Sequence, residues 1–151
     1  MSARNAKPYT FKRKANKYGA KKTYSDMIGR HFDSAGECSC AETLWLRQKA
    51  GDISDLKFQP KVDLLGFVRM RPDFRYVEDG ETIWHEFKGF ATDRWFLCKK
   101  LWGQFGPGEY RVSYARRPME IIRPRMSELV AKQCMEQMVR WHKDLLREAR
   151  Q

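Results

Sequence analysis

Residues 71–89 have the sequence RPDFRYVEDGETIWHEFKG, in which two strand-like segments flank an Asp-Gly turn. An Asp-Gly pair between such segments is a strong signal for a β-hairpin. Asp73 and Glu86 lie at nearly equal distances from this turn, so the hairpin brings them side by side at its open end. Glu86 and Lys88 are two residues apart, so their side chains share one face of the strand. The sequence therefore predicts two carboxylates and one ammonium group at one place.

Crowded carboxylates are costly unless a cation neutralises them, and Mg²⁺ suits a site with few carboxylates, several waters and substrate phosphate oxygens. We expect Mg²⁺ or Mn²⁺, as one ion or two, held by Asp73, Glu86 and the backbone carbonyl of Phe87. Such an ion polarises a phosphate and lowers the pKa of a bound water. Lys88 would orient the nucleophile and offset charge in the transition state. The alternative is that Glu86 and Lys88 form an exposed ion pair of little energetic value.

Glu37 is a further candidate for the metal and catalytic site, because a side chain on the first predicted helix could reach it. Glu37 lies near the start of this helix, which runs to about residue 50. Ser34 and Glu37 have the spacing of a capping box, and Gly51 is suited to end the helix. Glu37 therefore has two interpretations: a structural carboxylate at a helix start, or a ligand or water holder at the metal site.

The remaining pattern predicts an α/β fold with a mixed central sheet flanked by helices. We expect a hairpin within 21–32, strands at 56–59, 62–65, 68–77 (broken or bent at Pro72), 82–87 and 109–115, a short apolar segment at 119–122, and helices at 93–105 and 127–147. The division into parts is a basic arm at 1–22, a core at 23–117 and a C-terminal extension at 118–151. The apolar stripe of the last helix either packs on the domain's own sheet or forms a dimer contact, and its members are Val130, Cys134, Met138, Trp141 and Leu145.

Pro72-Asp73 followed by Glu86-Phe87-Lys88 resembles the P-D…(D/E)-x-K signature of restriction-endonuclease-like nucleases. The Phe-x-Ser-x-x-Glu pattern at 32–37 that precedes it is similar to the endonuclease I type of phage Holliday-junction resolvase. Further segments resemble an uncharacterised family of phage and prophage proteins of this nuclease type, and the resemblance covers roughly residues 15–115. The segments that carry it are 17–23, 51–53, 59–60 and 88–90, together with Leu56. The Cys-Ser-Cys at 38–40 departs from that pattern, and the C-terminal helix lies outside it. The resemblance implies a restriction-endonuclease-like core, metal dependence, a DNA substrate, and the cytoplasm of a phage-infected or prophage-carrying bacterium.

Charge also points to a polyanionic partner, because 30 Lys and Arg against 19 Asp and Glu give a net charge of +11. Residues 1–22 contain eight of these cations and no acid. Such an arm either binds phosphates or is a solvated tail. The candidate nucleic-acid contacts are Lys12, Arg13, Lys14, Lys17, Lys21 and Lys22 in the arm, and Arg94, Lys99 and Lys100 on the helix after the catalytic strand, for which surface solubility is the alternative.

Several other classes of protein are disfavoured. No apolar run is long enough to span a membrane, no secretory signal opens the sequence, and no Gly-rich phosphate loop indicates a nucleotide cofactor. The four scattered cysteines are expected to be reduced thiols in a cytosol. His31 with Cys38 and Cys40 lacks the paired spacing and the fourth ligand of a zinc site.

The residues and the resemblance together predict a Mg²⁺- or Mn²⁺-dependent DNA endonuclease, selective for DNA structure and acting on branched DNA such as a Holliday junction. Symmetric cutting of two strands would require a homodimer. Two alternatives remain: a non-catalytic DNA-binding or regulatory protein on a nuclease fold, and a nuclease that acts on single-stranded DNA or RNA.

Overall fold

The computed structural model describes residues 20–64 and 68–149. Its elements follow the chain in the order β1 (Thr23–Ser25), β2 (Arg30–Phe32), α1 (Ala35–Ala50), β3 (Ser54–Phe58), β4 (Val62–Leu64), β5 (Val68–Met70), β6 (Phe74–Glu78), β7 (Glu81–Phe87), α2 (Asp93–Phe105), β8 (Glu109–Ser113), β9 (Glu120–Ile122) and α3 (Glu128–Glu148). The predicted helices and the predicted hairpin around the Asp-Gly turn are confirmed to within one or two residues at their ends.

A five-stranded sheet with the order β3-β6-β7-β8-β9 forms the centre of the fold. Its neighbouring strands are antiparallel except β7 and β8, which are parallel because α2 carries the chain back to the starting end of the sheet. The predicted mixed α/β architecture is therefore confirmed. β9 is one of the two edge strands of this sheet, although it lies in the segment predicted as a C-terminal extension.

The predicted break at Pro72 is confirmed, but the segments on its two sides are separate strands in different sheets rather than one strand over 68–77. β5 pairs with β4 in a separate two-stranded sheet, whereas β6 pairs with β3 and β7 in the central sheet. Pro72, which is fully buried, separates the two strands. Proline has no N–H to donate to a strand ladder and its φ is fixed, so pairing stops there and the chain passes from one sheet to the other.

Each face of the central sheet has its own apolar core. The α1 face packs Phe32, Ala41, Leu44, Phe74, Tyr76 and Ile83 together, and the face that carries α2 and the β4–β5 hairpin packs Leu64, Met70, Trp84, Trp102, Tyr110 and Val112. Side chains alternate along a strand, so β7 contributes Ile83 to one core and Trp84 to the other. The same alternation places Glu86 on the α2 face.

The ends of α1 are those expected from the sequence. Ser34 accepts a hydrogen bond from the Glu37 N–H at 3.1 Å, and Gly51 adopts a left-handed conformation at φ 89° after the last turn. An N-cap of this kind contributes about 1 kcal/mol. It also fixes where the first turn of α1 lies relative to the sheet, and thereby positions Glu37.

α3 lies against α2 rather than on the central sheet, which corrects one of the two expectations for its apolar stripe. Val130, Met138, Trp141 and Leu145 are exposed along the helix, with 63% of Trp141 accessible to solvent. Within the described part of the chain, no helix is both long and apolar enough to cross a membrane.

Candidate metal and phosphodiester site

Asp73 is held between the backbones of two neighbouring strands. Phe74 pairs with His85 in the β6–β7 ladder, and one further step in the same register places Asp73 beside Glu86. The Gln59 N–H donates to the Asp73 carbonyl oxygen at 2.8 Å, and the Phe87 N–H donates to Asp73 Oδ2 at 2.8 Å. Asp73 is therefore held on both sides, by Gln59 at its main-chain carbonyl and by Phe87 at its carboxylate.

Glu86 and Lys88 do share one face of β7, as the spacing predicts. Lys88 Nζ lies 2.7 Å from Glu86 Oε1, and the Tyr110 hydroxyl donates to Glu86 Oε2 at 3.2 Å. The Lys88 N–H donates to the Ser113 carbonyl at 2.8 Å, which continues the parallel ladder beyond Phe87. The pair is largely enclosed, because only 10% of the Glu86 side chain and 20% of the Lys88 side chain are exposed. It is therefore not a freely solvated surface ion pair.

Glu37 reaches the same region from α1. Its Oε2 accepts the Asp33 N–H at 3.1 Å, so the capping function is realised, and the residue is buried. Burial raises its pKa, and the negative charges of Asp33 and Glu86 raise it further, although the hydrogen bond from Asp33 and the charge of Arg30 act in the opposite direction. Glu37 is thus a capping residue that also belongs electrostatically to the carboxylate group around Glu86.

The first turn of α1 packs against the strand that carries the site. A Cβ atom added at Gly36 would lie 2.2 Å from the ring of Phe87, so the ring occupies the space that a side chain there would need. This close approach brings Glu37 towards the end of β7. It is a physical reason for glycine at this position inside a helix.

The three carboxylates leave an excess of negative charge. The pKa of Asp73 is raised, first by burial and then by the charges of Glu86 and Glu37, and the Phe87 N–H and the Lys88 ammonium only partly offset this. An isolated buried carboxylate of this kind takes up a proton or a cation. The arrangement therefore favours binding of a positive ion between Asp73 and Glu86.

The donor set suits a hard divalent cation with an incomplete protein shell. Among the described residues, no group of three or more His, Cys, Asp and Glu side chains is arranged to hold a metal by itself. Mg²⁺ commonly takes one or two carboxylates and completes its octahedron with waters and phosphate oxygens, so two carboxylates are sufficient. Each carboxylate oxygen has a second lone pair beyond the hydrogen bonds described above. Asp73, Glu86 and the Phe87 carbonyl thus fit the ion that the sequence predicts, with Glu37 behind them.

His85 points to the opposite face of the sheet, as its position next to Glu86 requires. Its ring nitrogens lie 2.8 Å from Ser113 Oγ and 3.3 Å from the Tyr76 hydroxyl. Burial lowers the pKa of His85 to about 4, and the charges of Arg111 and Arg47 act in the same direction. The ring is therefore neutral at physiological pH and lies away from the carboxylates.

The predicted nucleic-acid contacts are dispersed. Lys21, Lys22 and Lys100 are exposed, and Arg94 is exposed next to the carboxylate site. Lys99 is paired with Glu120 at 2.6 Å and lies 5.2 Å from the centre of the Trp95 ring, so it is not a free cation. The remaining candidates, Lys12, Arg13, Lys14 and Lys17, lie outside the described residues.

Two residues of the site were missed from the sequence. Tyr110 donates to Glu86, and the ring of Trp95 lies 5.3 Å from Lys88 Nζ. Tyr110 reaches Glu86 because β8 lies parallel to β7, with Glu86 paired to Val112. The alternation of β8 indicates that Tyr110 and Val112 share a face, but it does not indicate which strand is the neighbour.

A protein-family model described as "Protein of unknown function (DUF1064)" matches residues 15–114 of the chain. The chain belongs to this family. The matched range contains all four candidate catalytic residues and ends before β9 and α3. The expected resemblance to a family over roughly residues 15–115 is thus confirmed in its extent, whereas membership in the restriction-endonuclease-like superfamily stays a proposal.

Among solved structures, the chain is similar to one titled "Crystal structure of SSO0001", with 14% sequence identity and a TM-score of 0.31. The match covers 71% of this chain, which spans 62% of the length of that protein. No curated protein sequence matches this DUF1064 chain.

Proposed function

We propose that this protein is a Mg²⁺- or Mn²⁺-dependent DNA endonuclease of the restriction-endonuclease-like superfamily. The observation that carries the proposal is the meeting of Asp73 and Glu86, from adjacent strands, with the ammonium group of Lys88 at 2.7 Å from Glu86. Two carboxylates and one amine in a partly enclosed site, beside a charge excess that favours a cation, are the groups that hydrolysis of a phosphodiester requires.

Each residue of the site would have its own role in the reaction. Asp73 and Glu86, with the Phe87 carbonyl, would hold the ion, which would supply Lewis acidity towards a phosphate oxygen and a water. Lys88 is close enough to Glu86 to orient the attacking water and to offset negative charge on the phosphate as it grows. Tyr110 holds Glu86 in place from the neighbouring strand. Glu37 would act as a further metal ligand or would hold a water at the site.

The test compares cleavage by the parent protein with cleavage by Asp73→Asn, Glu86→Gln and Lys88→Met. Each protein is incubated with Mg²⁺, Mn²⁺ or EDTA and with supercoiled, linear and four-way-junction DNA, single-stranded DNA and RNA. Glu81→Gln is a matched control, since Glu81 is an exposed carboxylate at the turn end of the same strand. We expect the three site variants to lose metal-dependent cleavage and to retain DNA binding, and the control to behave as the parent.

A second measurement does not depend on activity. Titration with Mn²⁺ followed by electron paramagnetic resonance should show a bound ion in the parent and in Glu81→Gln, and weaker binding in Glu86→Gln. Full cleavage by Glu86→Gln would overturn the assigned mechanism. A parent protein that binds DNA and cuts none of the substrates would instead favour a non-catalytic DNA-binding protein.

Preference for branched DNA and a homodimeric state belong to the same proposal. Their support is the resemblance to junction resolvases and the need of such enzymes for two symmetric sites. Both would be supported if the protein cuts four-way junctions faster than linear duplex and sediments as a dimer. Equal cutting of single-stranded DNA or RNA would move the proposal to a nuclease for single strands.

A further inference from the structure

A cleft of about 170 Å³ opens directly beside the carboxylate site. Glu86 and Trp95 line it on the sheet and helix sides, and three arginines surround it: Arg69 and Arg71 from the end of β5, and Arg94 from the first turn of α2. The volume is that of roughly six water molecules, which is enough for one hydrated phosphate group. The cleft therefore joins a cationic surface to the candidate metal site.

Two of these arginines have side chains without a partner among the described residues. Arg71 and Arg94 are exposed, and the side chain of neither forms an ion pair or a hydrogen bond with a described residue. Arg69 is paired with Asp63 at 3.0 Å on the same β-hairpin. Glu86 is the acidic residue of the cleft lining, and its Oε1 is already paired with Lys88. Within the described ranges, 20–64 and 68–149, the cleft is thus lined by two arginines whose guanidinium groups have no side-chain partner.

We propose that this cleft holds the backbone phosphate next to the one that is cut, with Arg71 and Arg94 as its contacts. The inference rests on the proposed function for the identity of the substrate, a nucleic-acid strand. A guanidinium group can donate two parallel hydrogen bonds to a phosphate, which fixes the strand's position as well as its charge. The cleft is therefore a positioning site that sets where the strand crosses Asp73 and Glu86.

The contact is to the backbone and not to a base. Trp95 is the aromatic residue at the cleft, but only 6% of it is exposed, and the ammonium groups of Lys88 and Lys99 lie 5.3 and 5.2 Å from its ring centre. No open ring face is left on which a base would stack. Phosphate contacts carry no direct sequence information, so this side of the site should bind all sequences alike.

The test measures DNA affinity against KCl concentration for the full chain in Ca²⁺, with a short fluorescein-labelled duplex and its single strand as probes. The variants are Arg71→Gln, Arg94→Gln and the two combined. The matched control is Arg123→Gln, because Arg123 is an exposed arginine beside Glu109, at the opposite end of β8 from the carboxylate site. The salt dependence of binding is the decisive readout, since a change in folding alone does not alter the number of phosphates that the protein neutralises.

Because the two arginines contact the same phosphate, we expect the double variant Arg71→Gln/Arg94→Gln to lower the slope of log affinity against log salt by about 0.9 on duplex or about 0.7 on single strand. Each single variant should lower the slope by a part of this amount, and the control should leave it unchanged. The reduction should be the same for probes of different sequence. Slopes equal to those of the parent would overturn the inference and leave the nuclease proposal intact. Lower slopes in a protein that cuts no substrate would support the phosphate contact of Arg71 and Arg94 and would overturn the nuclease proposal. A parent protein that binds neither probe would overturn the inference, and the nuclease proposal would still be decided by the cleavage test.

Discussion

The crowding of Asp73 with Glu86 and Glu37 has a direct consequence for stability. Burial and the two neighbouring charges raise the pKa of Asp73 from 3.8 to about 8, so the folded protein binds a proton that the unfolded chain has released. A raised pKa in the folded state contributes stability at acid pH, and this contribution is lost as the pH rises from about 4 to about 8. In the absence of metal, Asp73 should therefore destabilise the protein at neutral pH.

The variant that removes this effect is Asp73→Asn, which keeps an oxygen to accept the Phe87 N–H. A difference of one bound proton between the folded and unfolded states changes the free energy of unfolding by about 1.36 kcal/mol per pH unit. This value is the upper limit for how steeply the stability difference between variant and parent can change with pH. Because three carboxylates share the proton, we expect the stability difference at neutral pH to be smaller than this limit allows, with the variant more stable by about 1 to 3 kcal/mol. The gap should close as the pH falls towards 4.

The assay is urea unfolding followed by tryptophan fluorescence, in EDTA and in Mg²⁺, across this pH range. Glu81→Gln is again the control, and its stability should follow that of the parent. Mg²⁺ should stabilise the parent, by about 2.7 kcal/mol at one hundred times its dissociation constant, and should leave Asp73→Asn nearly unchanged. A variant that is less stable than the parent in EDTA at every pH, with no dependence of the gap on pH, would refute this account of the site.

Other substitutions test the packing and the arm. Tyr110→Phe removes a buried hydroxyl that donates to Glu86, so it should cost about 1 kcal/mol in urea unfolding. Trp102→Ala should lower the free energy of unfolding by about 3–5 kcal/mol because Trp102 is fully buried. Trp141→Ala should change it by less than about 0.5 kcal/mol because 63% of Trp141 is exposed. Equal losses would contradict the position of α3. Removal of residues 1–14 should lower the salt slope of DNA binding by about 0.9 for each phosphate that this segment neutralises, and an unchanged slope would make the segment a solvated tail.

Much of the site was predictable because its signals are local. The Asp-Gly turn sets the register of β6 and β7, and that register alone brings Asp73 to Glu86. The period of a strand places Glu86 and Lys88 on one face and His85 on the other. Ser34 and Gly51 likewise mark the two ends of α1 through their own hydrogen bonds and backbone conformation.

The features that the sequence did not predict share one cause, because each depends on contact between segments far apart in the chain. The sequence shows a break at Pro72, but not that the strands on its two sides belong to different sheets. The stripe of α3 has the period of a buried face, yet most of it stays exposed because α3 meets α2 and not the sheet. Periodicity indicates that a face is apolar and does not indicate what covers it.

The amino-acid sequence by itself determined the elements, the hairpin register and the pair of carboxylates with its amine, since turns, caps and strand alternation act over a few residues. Only the tertiary structure decided that β8 lies parallel to β7 and supplies Tyr110 to Glu86. It also decided that Arg71 and Arg94 line one cleft beside that carboxylate. Those arrangements depend on which strands and helices pack together, and that choice is made by the buried surface of the whole chain rather than by any local pattern.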